Sequence, residues 1–526
     1  MTLPTRGPCD DAAVLRGAAA QPCPASAKRW TLVAAIIGSS MAFIDGSVVN
    51  VGLPAIQREL GADAAQAQWI IESYALFLAA LLLVGGALGD RFGRRLVFGL
   101  GVAIFSAASI ACALSRNANE LIAARAVQGI GAALLVPGSL SLISAVFPHA
   151  ERGRAIGTWS AFSGVTAAAG PVIGGWLIDR WSWTWAFLVN LPLGVLLLAL
   201  CWLKVPESRS HSAGEGIDTR GALWVTVGLA GVVYAFIQAP QRGWGSAEVL
   251  GALLAGVAGL ALFVRAEARG AAPMLPLGLF RNADFSGANL LTLLLYAALG
   301  GGLYYLPLDL IQVQGYSATA AGAAMLPFIA IMFLLSSASG RLVDVFGARP
   351  LLVGGPVVAA GGFALFAWPA VGGSYWQTFF PAICLLGLGM AITVAPLTAT
   401  VMNAVAADLA GVASGVNNAV SRVASLLAIA ALGLLMAARF EAQLLASLSA
   451  LQLPPDLLQV LVGQHQRLAG IEVPPGVDAA TATAIREAIG TAFVSGFRGV
   501  MAVCTALALL GAASAALLIR SRAARG

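Results

Sequence analysis

About fourteen apolar runs follow one another along the chain, each near the length a helix needs to cross a bilayer. They fall at roughly 31–53, 69–89, 96–114, 121–146, 155–178, 184–203, 221–238, 247–264, 285–311, 319–340, 350–369, 377–400, 413–437 and 493–519. Lipid offers backbone N–H and C=O groups no partner, so a spanning segment is a helix or part of a closed barrel. The alternation a barrel strand requires is absent. Only 10% of the 526 residues are charged, where a soluble chain carries about a quarter. The runs predict an all-α polytopic membrane protein with fourteen transmembrane helices.

A formal charge of +6 would by itself admit nucleic acid as a partner, but the basic residues are placed otherwise. With the N-terminus inside, the loops holding Arg91, Arg94, Arg95, Arg152, Arg154, Lys204, Arg265, Arg269, Arg341 and Arg349 are cytoplasmic. The short outer loops hold only Arg58, Arg116, Arg180 and Arg242. An excess of Lys and Arg marks the cytoplasmic side, with anionic lipid as its partner. Both termini are then cytoplasmic. Residues 1–29 have the composition of a disordered cytoplasmic tail, not of a cleaved signal. Residues 520–526 form a basic cytoplasmic tail. Residues 438–492 lie outside, and their helix-period apolar residues, broken by Pro454 and Pro455, predict amphipathic surface helices.

Two segments echo each other. "GALGDRFGRR", Gly86 to Arg95, follows the second run, and "GRLVDVFGAR", Gly340 to Arg349, follows the tenth. Gly86, Asp90, Phe92, Gly93 and Arg95 recur as Gly340, Asp344, Phe346, Gly347 and Arg349. A repeated loop at the same place in two halves indicates a duplicated architecture. It predicts six-span bundles over 30–204 and 271–519, with two inserted helices over 205–270. Glycines allow a sharp turn, and the charges can engage helix ends. Gly86, Asp90, Arg91, Gly93, Arg94 and Arg95, with the weaker copy at Asp344, are therefore candidates for a conformational latch. A positive-inside signal would explain the arginines alone.

A charge at mid-bilayer costs at least about 2.5–3.5 kcal/mol, so it is expected to be paired or functional. Four such charges stand out: Asp45, Glu72, Arg125 and Asp309. Counting along the runs places all four toward the outer half of the membrane. Apolar surroundings favour a neutral carboxyl and a nearby arginine favours a charged one. A carboxylate balanced between the two can load and release a proton. Asp45 is the expected proton-coupling group, with Arg125 tuning it. A fixed buried pair is the alternative. Glu72 and Asp309, with Gln128, Asn50 and Tyr305, are candidates for the substrate cavity. Because Asp45→Asn removes a buried charge, that variant is expected to fold.

These segments resemble the major facilitator superfamily. "GALGDRFGRR" resembles its loop after the second helix, and "RAVQGIGAALLVP", with Arg125, Gln128, Gly129 and Gly131, resembles its fourth-helix motif. "GPVIGG", with Gly170, Pro171, Gly174 and Gly175, resembles the fifth-helix antiporter motif, although Thr166 stands where that motif prefers glycine. "IDGSVVNVGLP" is similar to the first-helix motif of fourteen-span drug:proton antiporters, with Ser47 for threonine and Gly52 for alanine. The resemblance implies two six-helix bundles about a central cavity, a bacterial inner-membrane location, and export of lipophilic and cationic compounds in exchange for protons by alternating access. No cofactor is implied beyond the proton gradient, and no metal. Small-molecule substrate, protons and lipid are the expected partners, with an outer-membrane efflux partner left open.

Other readings remain. One is an exporter of a single metabolite, peptide or lipid. Another is a membrane enzyme, but His149, His211 and His465 sit in separate loops and no nucleophile motif surrounds them. The six cysteines form no CxxC pattern, so neither a disulfide framework nor a zinc site is indicated. An ATP-driven pump would need a phosphate-binding loop, and none occurs.

Overall fold

A computed structural model describes residues 24–209, 218–270, 273–405 and 409–520. The described residues are helical with short connections, and none is in a strand. The first five helices are α1 (Ala25–Leu60), α2 (Ala64–Phe92), α3 (Arg94–Ala113), α4 (Ala118–Val146) and α5 (His149–Arg180). A short α6 (Trp185–Leu188) leads into α7 (Asn190–Lys204), and α8 (Thr219–Arg242) and α9 (Ala247–Arg269) are the inserted pair. Then come α10 (Ala283–Leu308), a π-turn (Asp309–Val313), α11 (Ala318–Ala324), α12 (Leu326–Phe346), α13 (Ala348–Phe366), α14 (Tyr375–Asn403), α15 (Ala410–Ala450), α16 (Pro455–Gly463) and α17 (Ala479–Leu518). Thirteen described segments are long and apolar enough to cross a membrane. The 32-residue α5 occupies the position of the remaining apolar run.

Three sequence expectations change. The tail 1–29 gives way to helix from Ala25 onward, and its earlier part lies outside the described residues. The single run at 319–340 becomes two helices, parted at Met325. The loop expected over 438–492 is shorter than that. α15 runs unbroken to Ala450 and α17 starts at Ala479, leaving a strap of residues 451–478 with the short α16. The physical reason is that residues 438–450 contain no glycine or proline and are rich in Ala and Leu, so nothing stops the helix. Pro454 and Pro455 act at the strap, where Pro455 opens α16.

Two compact units emerge. One comprises Met1–Gly52, Ile70–Ala230 and Gly256–Pro276. The other comprises Leu53–Trp69, Gly231–Ala255 and Leu277–Gly526. In the first unit, Asn117 caps α4 by accepting from the Glu120 N–H at 2.9 Å, and Glu120 accepts in return from the Arg116 N–H at 2.8 Å. This reciprocal cap fixes where α4 begins. Lipid gives helices little apolar drive to associate, so close backbone approach at small residues must hold them together. Gly101 and Gly131 supply it. A Cβ on Gly101 would lie 2.9 Å from the Gly131 carbonyl oxygen, and one on Gly131 would lie 2.6 Å from the Phe105 nitrogen.

The second unit repeats this crossing. A Cβ on Gly355 of α13 would lie 2.9 Å from the Gly389 carbonyl oxygen of α14, and one on Gly389 would lie 2.4 Å from the Ala359 nitrogen. The duplication seen in the two loops therefore extends to the helix crossings. The inserted pair carries exposed apolar side chains such as Leu254 and Val257, as a lipid-facing hairpin would.

The repeated loops also correspond in structure. Gly93 (φ 122°) ends α2 and Gly347 (φ 76°) ends α12, both in backbone that side-chain-bearing residues rarely adopt. Arg95 donates to the Val205 carbonyl at the end of α7. Arg349 donates to the Ala516 carbonyl in the last turn of α17. Each arginine thus closes the C-terminal end of the sixth span of its own half, where a cation is favoured.

Candidate functional site

Asp45 of α1 is 0% exposed. Its Oδ2 accepts from Arg125 Nη1 at 2.5 Å, and its Oδ1 accepts from Gln128 Nε2 at 2.8 Å and Asn190 Nδ2 at 3.2 Å. Arg125, 1% exposed, also donates to Gln128 Oε1 at 2.7 Å and to the Ile70 carbonyl at 3.1 Å. Its guanidinium lies 4.2 Å from the Tyr74 ring centroid, a cation–π arrangement. Gln128 Nε2 further donates to Ser109 Oγ at 2.8 Å. Five helices of one unit (α1, α2, α3, α4 and α7) therefore meet at a buried polar cluster.

The glycines of the fourth-helix motif make this meeting sterically possible. A Cβ on Gly129 would lie 2.5 Å from the Tyr74 carbonyl oxygen, so α4 needs a glycine there to come this close to α2. Gly131 does the same against α3. With α4 held this close, Arg125 and Gln128 on its neighbouring turn reach Asp45. The fifth-helix motif packs on the same stretch of α1. A Cβ on Gly170 would lie 2.3 Å from Ser47 Oγ, and one on Gly174 would lie 2.4 Å from Val48 Cγ1. Pro171 lies within α5, and it and Gly175 are buried.

At the repeated crossing in the other half, the positions that match the polar cluster are apolar. Counted from the paired glycines, the places of Arg125 and Gln128 are taken by Ile383 and Leu386, and those of Ser109 and Cys112 by Phe363 and Phe366. All four replacements are buried. The polar centre belongs to one half of the duplication.

Of the candidates from sequence, the cluster brings together Asp45, Arg125 and Gln128. Asn50 is separate, with its amide tied to the Gly46 carbonyl of its own helix at 3.1 Å. Tyr305 accepts from Gln68 at 3.1 Å in the other unit. Asp309 is also in that unit, 1% exposed, at the start of the π-turn and accepting from Gln314 Nε2 at 3.3 Å. Glu72 is 0% exposed, and neither carboxylate oxygen has a hydrogen-bond partner. Sequence reasoning missed Asn190, Ser109 and Tyr74. Asn190 was findable, as an amide in a lipid-length run of the same kind that singled out Asp45.

The expected Gly86–Arg95 loop is helical except at Gly93, where α2 ends and α3 begins, and across that junction Asp90 Oδ1 pairs with Arg94 at 2.8 Å. The cap of α3 comes instead from Glu207, which accepts from the Arg95 N–H at 3.0 Å and the Leu96 N–H at 3.2 Å. A carboxylate at a helix N-terminus complements its dipole. Arg91 lies 5.7 Å from the Phe92 ring centroid. The Asp344 side chain lies outside the described residues.

A family model described as Major Facilitator Superfamily matches residues 35–429. The multidrug resistance protein Stp of Mycobacterium tuberculosis is 37% identical over 421 residues, covering 79% of this chain and 77% of that protein. The tetracenomycin C resistance and export protein of Streptomyces glaucescens is 34% identical over 506 residues, covering 94% of this chain and 92% of that protein. Among solved structures, a bacterial homolog of the human lysosomal transporter Spinster aligns with a TM-score of 0.65 at 18% identity, over 95% of this chain and 100% of that one. At that identity the likeness concerns the fold.

Proposed function

The chain belongs to the major facilitator superfamily, and on that premise we propose a proton-coupled antiporter that exports lipophilic, cationic drugs or toxic compounds by alternating access. It is a multi-pass membrane protein and a transporter, not an enzyme. The observation that carries the proposal is the buried Asp45–Arg125 pair, 2.5 Å apart. Ionised, the two groups compensate each other. A proton arriving at Asp45 cancels its charge, while Arg125 keeps Gln128, the Ile70 carbonyl and the Tyr74 ring as partners. The guanidinium can therefore stay in place while the carboxyl changes state. Because Gly170 and Gly174 lie on the same stretch of α1, a change at Asp45 is passed to α5 by contact. The driving force is the proton gradient, with no cofactor. The setting is the bacterial inner membrane with both termini cytoplasmic.

A second reading has its own support. The tetracenomycin relative, matched over nearly its whole length, is named for resistance to and export of one compound. Purified protein in proteoliposomes with an imposed pH gradient tests the proposal, scored with a panel of dyes and antibiotics. Uphill movement of several unlike compounds, each with counterflow of protons, is expected. Transport of one compound alone favours the second reading, and transport indifferent to the gradient removes the proton.

A further inference from the structure

We propose that the inserted hairpin of α8 and α9 is an outer catch: α8 joins the α1–α2 turn to α15, and its bond to that turn opens in every transport cycle. The inference rests on the alternating-access reading above. The residues that form the catch all lie in the second compact unit.

α8 does more than face lipid. Val233, Ala235, Ile237 and Ala239 are all buried, and residues two apart on a helix point about 200° apart. The outer half of α8 is therefore covered on opposite faces. α9, by contrast, leaves Leu254 and Val257 exposed. Two neighbours meet α8. Gln241 Nε2 donates to Asp63 Oδ2 at 3.2 Å, in the turn between α1 and α2, and the Tyr234 ring lies 6.2 Å from that of Trp69 near the start of α2. Leu434 of α15 packs on Ala235, Ala239 and Val249. A cavity of about 50 Å³, lined by Ala64, Gln68, Gln241, Gly433 and Glu441 among others, lies where α2, α8 and α15 come together.

The α1–α2 turn belongs to the first half of the duplication and α15 to the second, so α8 touches both halves at their outer ends. The hairpin itself is one piece. Gly228 and Gly259 bring α8 and α9 into backbone contact, since a Cβ on Gly259 would lie 2.8 Å from the Gly228 nitrogen. At the tip, Arg242 pairs with Glu248. Alternating access parts the outer ends of the two halves, and a one-piece hairpin cannot follow both. One of its two contacts has to open.

The bond to the α1–α2 turn opens at less cost. Asp63 and Gln241 are both partly exposed, so water can replace each for the other, and such a bond is worth only about 0.5–1.5 kcal/mol. Asp63 also stays in place when the bond opens, because its Oδ1 accepts from the Gln66 N–H at 2.7 Å and caps α2. The α15 contact offers water nothing to bond. Ala235 and Val249 are 0% exposed, and uncovering them toward the outer surface would give up buried apolar area. α8 therefore stays on α15 and releases the turn.

The test uses full-length protein without native cysteines, in proteoliposomes, with paired cysteines joined by a short cross-linker that reductant cleaves. Asp63→Cys with Gln241→Cys ties α8 to the turn, and Ala239→Cys with Leu434→Cys ties it to α15. Ala64→Cys with Gln241→Cys is the second pair at the turn, and it keeps the Asp63 cap. Joining α8 to the turn should cut transport of the dye and antibiotic panel at least about tenfold, downhill as well as uphill, and reductant should restore it. Joining α8 to α15 should leave the rate within about twofold. The reverse pattern would make the hairpin travel with the turn and overturns the inference. Loss in both joins, or survival in both, overturns it as well. Failure of both turn pairs to cross-link contradicts the contact on which the catch stands. Wild type that moves no compound of the panel removes the exporter reading, and the catch with it.

Discussion

Gly174 of α5 meets Val48 of α1 so closely that a Cβ on the glycine would lie 2.4 Å from the valine side chain. Val48 is three residues beyond Asp45, so the antiporter-type motif braces the turn that carries the buried carboxylate. Gly174→Ala should force the two helices apart at a cost of about 1–3 kcal/mol, as overpacking does. Gly157→Ala, in the same helix with nothing near its Cβ position, should be neutral or stabilising. Comparing thermal melts of the two variants checks the contact. Equal melts would mean that the helices tolerate separation and that the motif is not a brace.

The Asp90–Arg94 pair is partly exposed, with 45% of the aspartate side chain open to solvent. Such a pair contributes about 0–1 kcal/mol to stability. Asp90→Asn should therefore express and melt like wild type, yet slow transport if the loop biases one step of the cycle. Asp344→Asn, in the degenerate copy, should slow it less. Rates per molecule of reconstituted protein are the measurement. Equal loss in both variants would show that the difference between the two copies has no functional weight.

How much of this was legible follows from what each residue costs in a membrane. Asp45 and Arg125 stood out because a charge in a lipid-length run needs a reason. Asn190 and Ser109 did not, because a hydroxyl or amide can satisfy itself on its own helix, as Asn50 does with Gly46. The glycine crossings were hidden among 61 glycines, since only the folded chain shows that Gly101 meets Gly131 as Gly355 meets Gly389. The duplicated loop was visible because its spacing repeats, but the cap on α3 was not. Glu207 is a lone carboxylate in a connection, and no pattern ties it to Arg95. The strap was misjudged because apolar periodicity signals a helix without saying whether that helix continues its neighbour.

Asp478 starts α17 by accepting from the N–H groups of Ala480 and Thr481 at 3.1 and 3.0 Å. The Thr481 side chain, then these amides, hold its carboxyl below the usual aspartate range. The sign follows from linkage. A carboxyl depressed in the folded state stabilises fully above its unfolded value, and the benefit fades as pH falls through the folded value. Hydrogen exchange of the amides at 480–482 should be unaffected near neutrality, once corrected for intrinsic rates, and lose protection only at acid pH below the ordinary aspartate range. Asp478→Asn should keep a cap but remove the pH step. A step of the same size in that variant would assign the effect elsewhere.

The strap carries Val460, 50% exposed. If the basic loops are cytoplasmic, the strap is outside. In a background without native cysteines, Val460→Cys should react with a membrane-impermeant thiol reagent in intact cells, and a cysteine at Arg91 should react only after permeabilisation. The reverse pattern would invert the topology and, with it, the direction of transport.

Asp45→Asn is the decisive substitution, and the structure changes what it should do. From sequence, removing a buried charge should ease folding. Arg125, 1% exposed and 2.5 Å away, alters that expectation. An asparagine leaves the guanidinium buried without a counter-charge, and breaking a buried pair from one side costs about 3–5 kcal/mol. Asp45→Asn alone should therefore melt markedly lower than wild type, and its loss of transport would be ambiguous. The double variant Asp45→Asn/Arg125→Gln removes both charges and should recover most of that stability. It should carry substrate downhill but not accumulate it against an imposed pH gradient, since no proton can load. Asp45→Glu, which keeps the charge, should retain part of the coupling with a shifted pH profile. The comparison is uphill transport beside downhill exchange in the same proteoliposomes. If the double variant pumps uphill at the wild-type rate, the Asp45–Arg125 pair is a structural bond, and the proton must travel by another carboxylate, with Asp309 the next to test.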